Sequence, residues 1–222
     1  MRTALMAAAL AMAAAIPSTA QDERVNIPVS QVPQSLFDLV KKHLPEGSIT
    51  EATRQVKKNE EEYRLRILVA TTIVEAEFDV ELNGGPPEGR IEVAVAAADV
   101  PKPVAEAFLK ALPDAVLGKA RKVITIDETV PEGRSAYEWR LKDPKRDVVI
   151  TPDGATTTVS QRIKEEELPA VVRESLARDH AGIKIKKVER VAVNGAVTYS
   201  VEVSGGDDLV ATADGKITVQ DQ

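Results

Sequence analysis

Hydrolytic, redox and metal chemistry draw on imidazoles, thiols, activated hydroxyls and paired carboxylates, and this chain is poor in the first three. Its 222 residues include two histidines, His43 and His180, and no cysteine. No Gly-x-Ser-x-Gly or Ser-x-x-Lys spacing is present, so the common serine nucleophiles have no place to sit. Neither histidine has a second ligand at zinc spacing. His180 falls where the pattern otherwise has Leu44 and Leu112, which reads as an imidazole packed inward or capping a helix C-terminus. His43 falls where another copy has Ala111 and reads as surface. Asp207, Asp208 and Asp214 form one acidic group, and Asp143, Asp147 and Asp153 another. Neither has the ligand order of a calcium loop, so both read as solvated turns. Carboxylate pairs for glycoside hydrolysis could be drawn anywhere among 35 acidic residues, so none is singled out. The expectation is no catalytic residue, no metal ligand, no cofactor and no enzyme activity. What remains is recognition. Arg64, Arg66, Glu138, Arg140 and Glu202 alternate with aromatic and aliphatic residues, and they are the binding candidates, placed on the solvent face of a sheet.

The elements that position those charges come from a repeat. Val32-Pro33, Val100-Pro101 and Leu168-Pro169 are one dipeptide in three registers (100 − 32 and 168 − 100 are both 68). The offset continues through Leu36, Val104 and Val172; Val40, Phe108 and Leu176; Ile49, Leu117 and Ile185; and Ala52, Ala120 and Val188. Such periodicity marks a unit that is built several times and packed side by side. In each copy the proline begins a helix and apolar residues follow at i, i+4 and i+8. Pro45 and Pro113 end two of these helices, and Ala181-Gly182 ends the third.

Strands follow. Ile49-x-x-Ala52 and its two counterparts keep a spacing of three inside alternating stretches, which predicts a bulge at the strand start. Turns are expected at Lys58-Asn59, Pro131-Glu132-Gly133 and Asn194-Gly195. The second copy carries six extra residues there, because Tyr137 lies 36 after Pro101 while Tyr63 and Tyr199 lie 30 after Pro33 and Pro169. Tyr63-Leu65-Ile67, Tyr137-Trp139-Leu141 and Tyr199-Val201-Val203 then share one parity and the candidate charges the other. Period two sends the first set, Trp139 included, to the core and the second to solvent. Hairpins at Asp153-Gly154 and Asp214-Gly215, with Asn83-Gly84-Gly85-Pro86-Pro87 in the first copy, lead to a closing strand. The expected fold class is α+β: three tandem modules, each one helix packed on a four-stranded antiparallel sheet.

The [VL]-P helix, the Ile/Leu-x-x-Ala/Val strand start, the Tyr-x-aliphatic strand, the Gly-bearing turn and the closing strand resemble the PepSY-like group of periplasmic modules, whose fold resembles that of the β-lactamase inhibitory protein. The resemblance covers residues 21–98, 99–166 and 167–222 as three modules. It implies a fold and no catalytic motif.

The ends and the charge complete the expectation. Arg2, the apolar run Ala4 to Ile16 and small residues before Ala20 have the order of a secretory signal peptide over residues 1–20. No later run reaches the ~20 apolar residues of a membrane span. The net charge of −6 is well mixed, which argues against nucleic acid. The expected protein is therefore exported, periplasmic or extracellular, and soluble. It is a non-enzymatic binder presenting open sheet faces to another envelope or secreted protein. The alternative is a proteinaceous inhibitor of an exported hydrolase, a β-lactamase or a protease.

Overall fold

A computed structural model describes residues 23–142, 144–205 and 207–220. The expected signal peptide lies outside the described residues. Helices α1 (Gln34–His43), α2 (Lys102–Ala111) and α3 (Ala170–Asp179) recur with the 68-residue period. Pro33, Pro101 and Pro169 are the N-cap residues, one position before each helix. Their carbonyls accept the first helical N–H groups, from Leu36, Ala105 and Val172 at 3.0–3.1 Å. At the other end Leu44, Leu112 and His180 close the last turn through N–H bonds to the carbonyls of Val40, Phe108 and Leu176. A residue that precedes proline is held out of the helical region, so Pro45 and Pro113 stop α1 and α2 there.

The strands are β1 (Val25–Ile27), β2 (Ser48–Val56), β3 (Glu60–Val69), β4 (Thr72–Glu81), β5 (Glu88–Val95), β6 (Ala120–Asp127), β7 (Val130–Lys142), β8 (Lys145–Ile150), β9 (Thr157–Ile163), β10 (Ile185–Val193), β11 (Ala196–Val203), β12 (Leu209–Thr212) and β13 (Ile217–Val219). Each pairs antiparallel with its neighbours in sequence, giving one 13-stranded sheet in sequential order. This overturns the α+β expectation of three modules, each one helix on a four-stranded antiparallel sheet: the chain is mostly β, and its strands form one continuous sheet. The physical reason lies at the junctions. A four-stranded sheet would leave two unpaired strand edges. Here β5 pairs with β6 from Gly89↔Ile126 to Val95↔Ala120, and β9 pairs with β10 from Thr158↔Val193 to Ile163↔Val188. The burial also crosses the expected boundary at residue 98, since Ile124 and Ile126 of β6 belong to the first core.

All three helices lie against the face that carries the tyrosine-strand residues. Leu36 and Val40 pack with Tyr63, Leu65, Ile67 and Phe78. Val104 and Phe108 pack with Tyr137, Trp139, Val148 and Ile150, and Val172 and Leu176 with Tyr199, Val201, Leu209 and Ala211. The expected parity of these strands is therefore observed, and Trp139 is a core residue at 3% exposure. Bulk is exchanged across the last strand pair of each repeat. Phe78 stands opposite Gly89, Ile150 opposite Thr157, and Ala211 opposite Ile217. Large-with-small pairing fills a similar space in three different ways.

The predicted bulge is present between Ile49 and Glu51 and between Ile185 and Lys187. Leu117 instead precedes β6. The turn expected at Pro131-Glu132-Gly133 is corrected: those residues lie inside β7, and the chain reverses at Glu128-Thr129. The cause is Asp127, whose Oδ1 accepts the N–H groups of Thr129 at 3.0 Å and Val130 at 2.9 Å and so forms an Asx turn. The six extra residues lengthen the hairpin, with Gly133 at φ +83°.

That longer hairpin reaches back to α1. Lys42 pairs with Glu132 at 2.6 Å. A Cβ on Gly133 would lie 2.9 Å from Cε1 of His43, so only glycine lets the imidazole pack there. His43 is thus half-buried, with Nε2 out of solvent and without a hydrogen-bond partner, and the surface placement is corrected. Burial, with Lys42 nearby, holds its pKa below the usual histidine value. The unfolded chain therefore binds this proton more readily than the folded one. His43 costs no stability well above pH 6.5, and it lowers stability as pH falls through that value. Between pH 7.5 and 5.5 the wild-type melting temperature is expected to fall further than that of His43→Gln. Superimposable profiles would show that this imidazole is not the group being titrated.

Candidate interaction face

With the helices on one side, the opposite face of the sheet is uncovered, and period two loads it with the charges that alternate with the core residues. In β3 these are Glu62, Arg64 and Arg66; in β4, Glu75 and Glu77; in β5, Arg90 and Glu92. Cross-strand register sets them side by side, with Glu51, Arg66, Glu75 and Glu92 in one row and Thr53, Arg64, Glu77 and Arg90 in the next. They surround a groove of about 440 Å³ across β2 to β5, and Arg24, just before β1, also lines it.

The charges sort into two kinds. Around Glu62, Arg24 makes a direct ion pair, Lys57 stands at 3.1 Å and Nε of Arg64 at 3.1 Å. Burial raises the pKa of the Glu62 carboxyl, but the Lys57 hydrogen bond and the Arg24 charge outweigh it and hold it below the usual carboxylate range. At the β5–β6 junction four side chains form a closed ring. Arg90 meets Glu92 and Glu138, each at 2.7 Å, and Arg121 meets Glu92 at 2.9 Å and Glu138 at 3.6 Å. Val123, paired across from Glu92 and two residues from Arg121, is buried on this otherwise open face, at 2% exposure. These residues tie strands together. By contrast Arg66, half-exposed, pairs with Glu51 alone among the described residues, at 3.1 Å. Glu75 lies across from both Arg66 and Glu92 and makes no ion pair among the described residues.

The sequence candidates are all on this face, but they do not lie side by side. Arg64 and Arg66 are on β3, Glu138 and Arg140 on β7, and Glu202 on β11. Four strand spacings, about 19 Å, separate each group from the next. Glu138 is spent in the ring, and Arg140 pairs with Asp147 at 3.2 Å. Lys186 stands 3.7 Å from Glu202. Between β7 and β11 the face carries Asp147, Arg162, Glu189 and Lys187 together with Val149, Thr158, Ser160, Val191 and Val193, and Lys187 is already paired with Glu189 at 2.9 Å. Arg24, Glu51, Glu75, Glu77, Arg90 and Glu92 were not singled out from the sequence. For Glu75, Glu77, Arg90 and Glu92 the signal was there, in the alternation of Val74, Ala76 and Phe78 and of Ile91 and Val93. Nothing in the sequence pointed to Arg24.

The remaining groups are structural. Asp153 and Asp214 accept hydrogen bonds from the Thr151 and Thr212 hydroxyls of their own turns, and Asp143 lies outside the described residues. Among the described residues, no group of three or more His, Cys, Asp or Glu side chains is placed to hold a metal ion. No helix among them is long and apolar enough to cross a membrane. Compared with known proteins, the chain matches no family model and no curated protein.

Proposed function

We propose that this is an exported, non-enzymatic binding protein that takes another envelope or secreted protein on the groove of its uncovered sheet face. The observation that carries this is the set of half-exposed, singly paired or unpaired charges around the groove, above all Arg66 and Glu75. Exposed ion pairs contribute about 0–1 kcal/mol, so Arg66 can leave Glu51 for a partner's carboxylate at little cost. Glu75, facing Glu92, gains from any cation that a partner brings. Electrostatic complementarity of this kind sets specificity and association rate. Export, to a periplasm or out of the cell, rests on the leader-like residues 1–20, and the likeness to PepSY-like periplasmic proteins is compatible with it.

The test is capture from envelope and secreted fractions with the chain from Gln21 onward, read by mass spectrometry, with wild type and Arg66→Glu in parallel. Arg66→Glu is expected to change stability by no more than about 1 kcal/mol. Retention of the authentic partner should weaken roughly tenfold, the equivalent of about 1.4 kcal/mol. A partner held equally by both would move the site off this groove. If the captured protein is a hydrolase, an inhibition assay decides whether binding blocks it.

A further inference from the structure

The two outer edges of the sheet carry complementary parts of one strand. At the β5–β6 junction Val93, Ala94 and Val95 face Lys122, Arg121 and Ala120. Sixty-eight residues later Gln161, Arg162 and Ile163 face Arg190, Glu189 and Val188. Sixty-eight residues earlier Val25, Asn26 and Ile27 of β1 face Arg54, Thr53 and Ala52. Strand β1 is therefore the last three residues of a closing strand, laid on β2 in the register that β5 uses on β6.

The missing first part is at the opposite edge. Tyr63, Phe78 and Gly89 line up across three strands, as do Tyr199, Ala211 and Ile217. Ile217, Thr218 and Val219 of β13 are thus the counterparts of Gly89, Arg90 and Ile91. Those three face Ile126, Thr125 and Ile124, whose counterparts 68 residues earlier are Lys58, Lys57 and Val56. Arg24 occupies the one position between the two parts. Among the described residues, no strand covers the outer edge of β13. The apolar side chains at these two edges are less covered than their internal counterparts: Val219 is 52% exposed where Ile91 is fully buried, and Val25 is 44% exposed where Val93 is half-buried.

We propose that β13 of one copy pairs with the end of β2 in a second copy, placing Val219 beside Val56 so that β13, Arg24 and β1 together restore a full closing strand. The contact continues the geometry of the two junctions already present in the chain. It joins different surfaces, so it is head-to-tail and adds copies without closing at two. Three residue pairs per contact make it weak and reversible, and each new copy covers an edge that would otherwise be a template for pairing.

Sedimentation velocity on the chain from Gln21 onward, over a concentration series, tests this. The weight-average mass should rise with concentration and pass that of two copies. Val219→Lys should abolish the rise while melting like the wild type, and so should Val56→Lys. A mixture of Val219→Lys with Val56→Glu should associate again, because a lysine on β13 then meets a carboxylate on β2. A mass that stays at one copy at every concentration overturns the proposal, and so does association that ignores both edge substitutions.

Discussion

Trp139→Ala is expected to lower the unfolding free energy by about 3–5 kcal/mol, the range for removing a large aromatic from a core. The indole is almost wholly enclosed. Its ring centroid lies 4.9 Å from that of Phe108 at an interplanar angle of 45°, a tilted arrangement that adds to simple burial. Its Nε1 donates to the Gly118 carbonyl at 3.3 Å, which ties the connection between α2 and β6 to β7. Alanine leaves a cavity under α2 and removes that tie together. Urea unfolding followed by far-ultraviolet circular dichroism measures the loss, since the variant has no tryptophan to report by fluorescence. Trp139→Phe should recover much of it, because a ring is restored beside Phe108 without the N–H donor. A loss below about 0.5 kcal/mol for alanine, the range of ordinary surface changes, would place the indole outside the core.

The second large effect is a pair that should be worse apart than together. Phe78→Ala is expected to cost about 3–5 kcal/mol through the cavity it leaves. Gly89→Ile should cost about 1–3 kcal/mol or more by overpacking, because a Cβ there meets the Glu77 carbonyl oxygen at 2.3 Å and the Phe78 ring at 2.4 Å. Combined, the two substitutions install the alanine–isoleucine pair that β12 and β13 already use. The ring contact disappears and the new side chain fills the space left behind. The Glu77 carbonyl still has to move, so recovery is partial. The double variant should nevertheless be more stable than the two single costs added together would allow, by at least about 1 kcal/mol of coupling. Strict additivity would mean that the three pairs are not alternative fillings of one site.

This pair also marks what the sequence made legible. The helices followed from residues that repeat with their full context, Val32-Pro33 with Leu36 and Val40, and the strand parity followed from Tyr63-Leu65-Ile67 against Arg64-Arg66. Both are local signals, periods of 3.6 and 2 read within one segment. The joining of the sheets was not local. Ile91-Val93-Val95 announces a strand, but that its outer neighbour is Ile124, beyond a whole helix, is written nowhere in either segment. The second-copy turn failed for a related reason: Pro131 and Gly133 look like turn residues, while a single Asp127 side chain fixes the reversal earlier. Proline fits where it is because that part of β7 has no β8 residue across from it. The groove was half legible, since Arg64 and Arg66 were found. Their neighbours became part of a site only once β4 and β5 were known to lie beside them. His43 was misplaced because what buries it is a hairpin from the next repeat.

The sequential order of the sheet has a mechanical consequence. Strands β1 and β13 lie at opposite edges, so tension between the two ends runs across the strands, along the hydrogen bonds rather than against them in shear. The pairs then open one at a time from the outside, each strand released before its neighbour bears the load. A protein of this build yields by unzipping in small steps at low force, and when the tension is relaxed each strand finds its template in the one next to it along the chain.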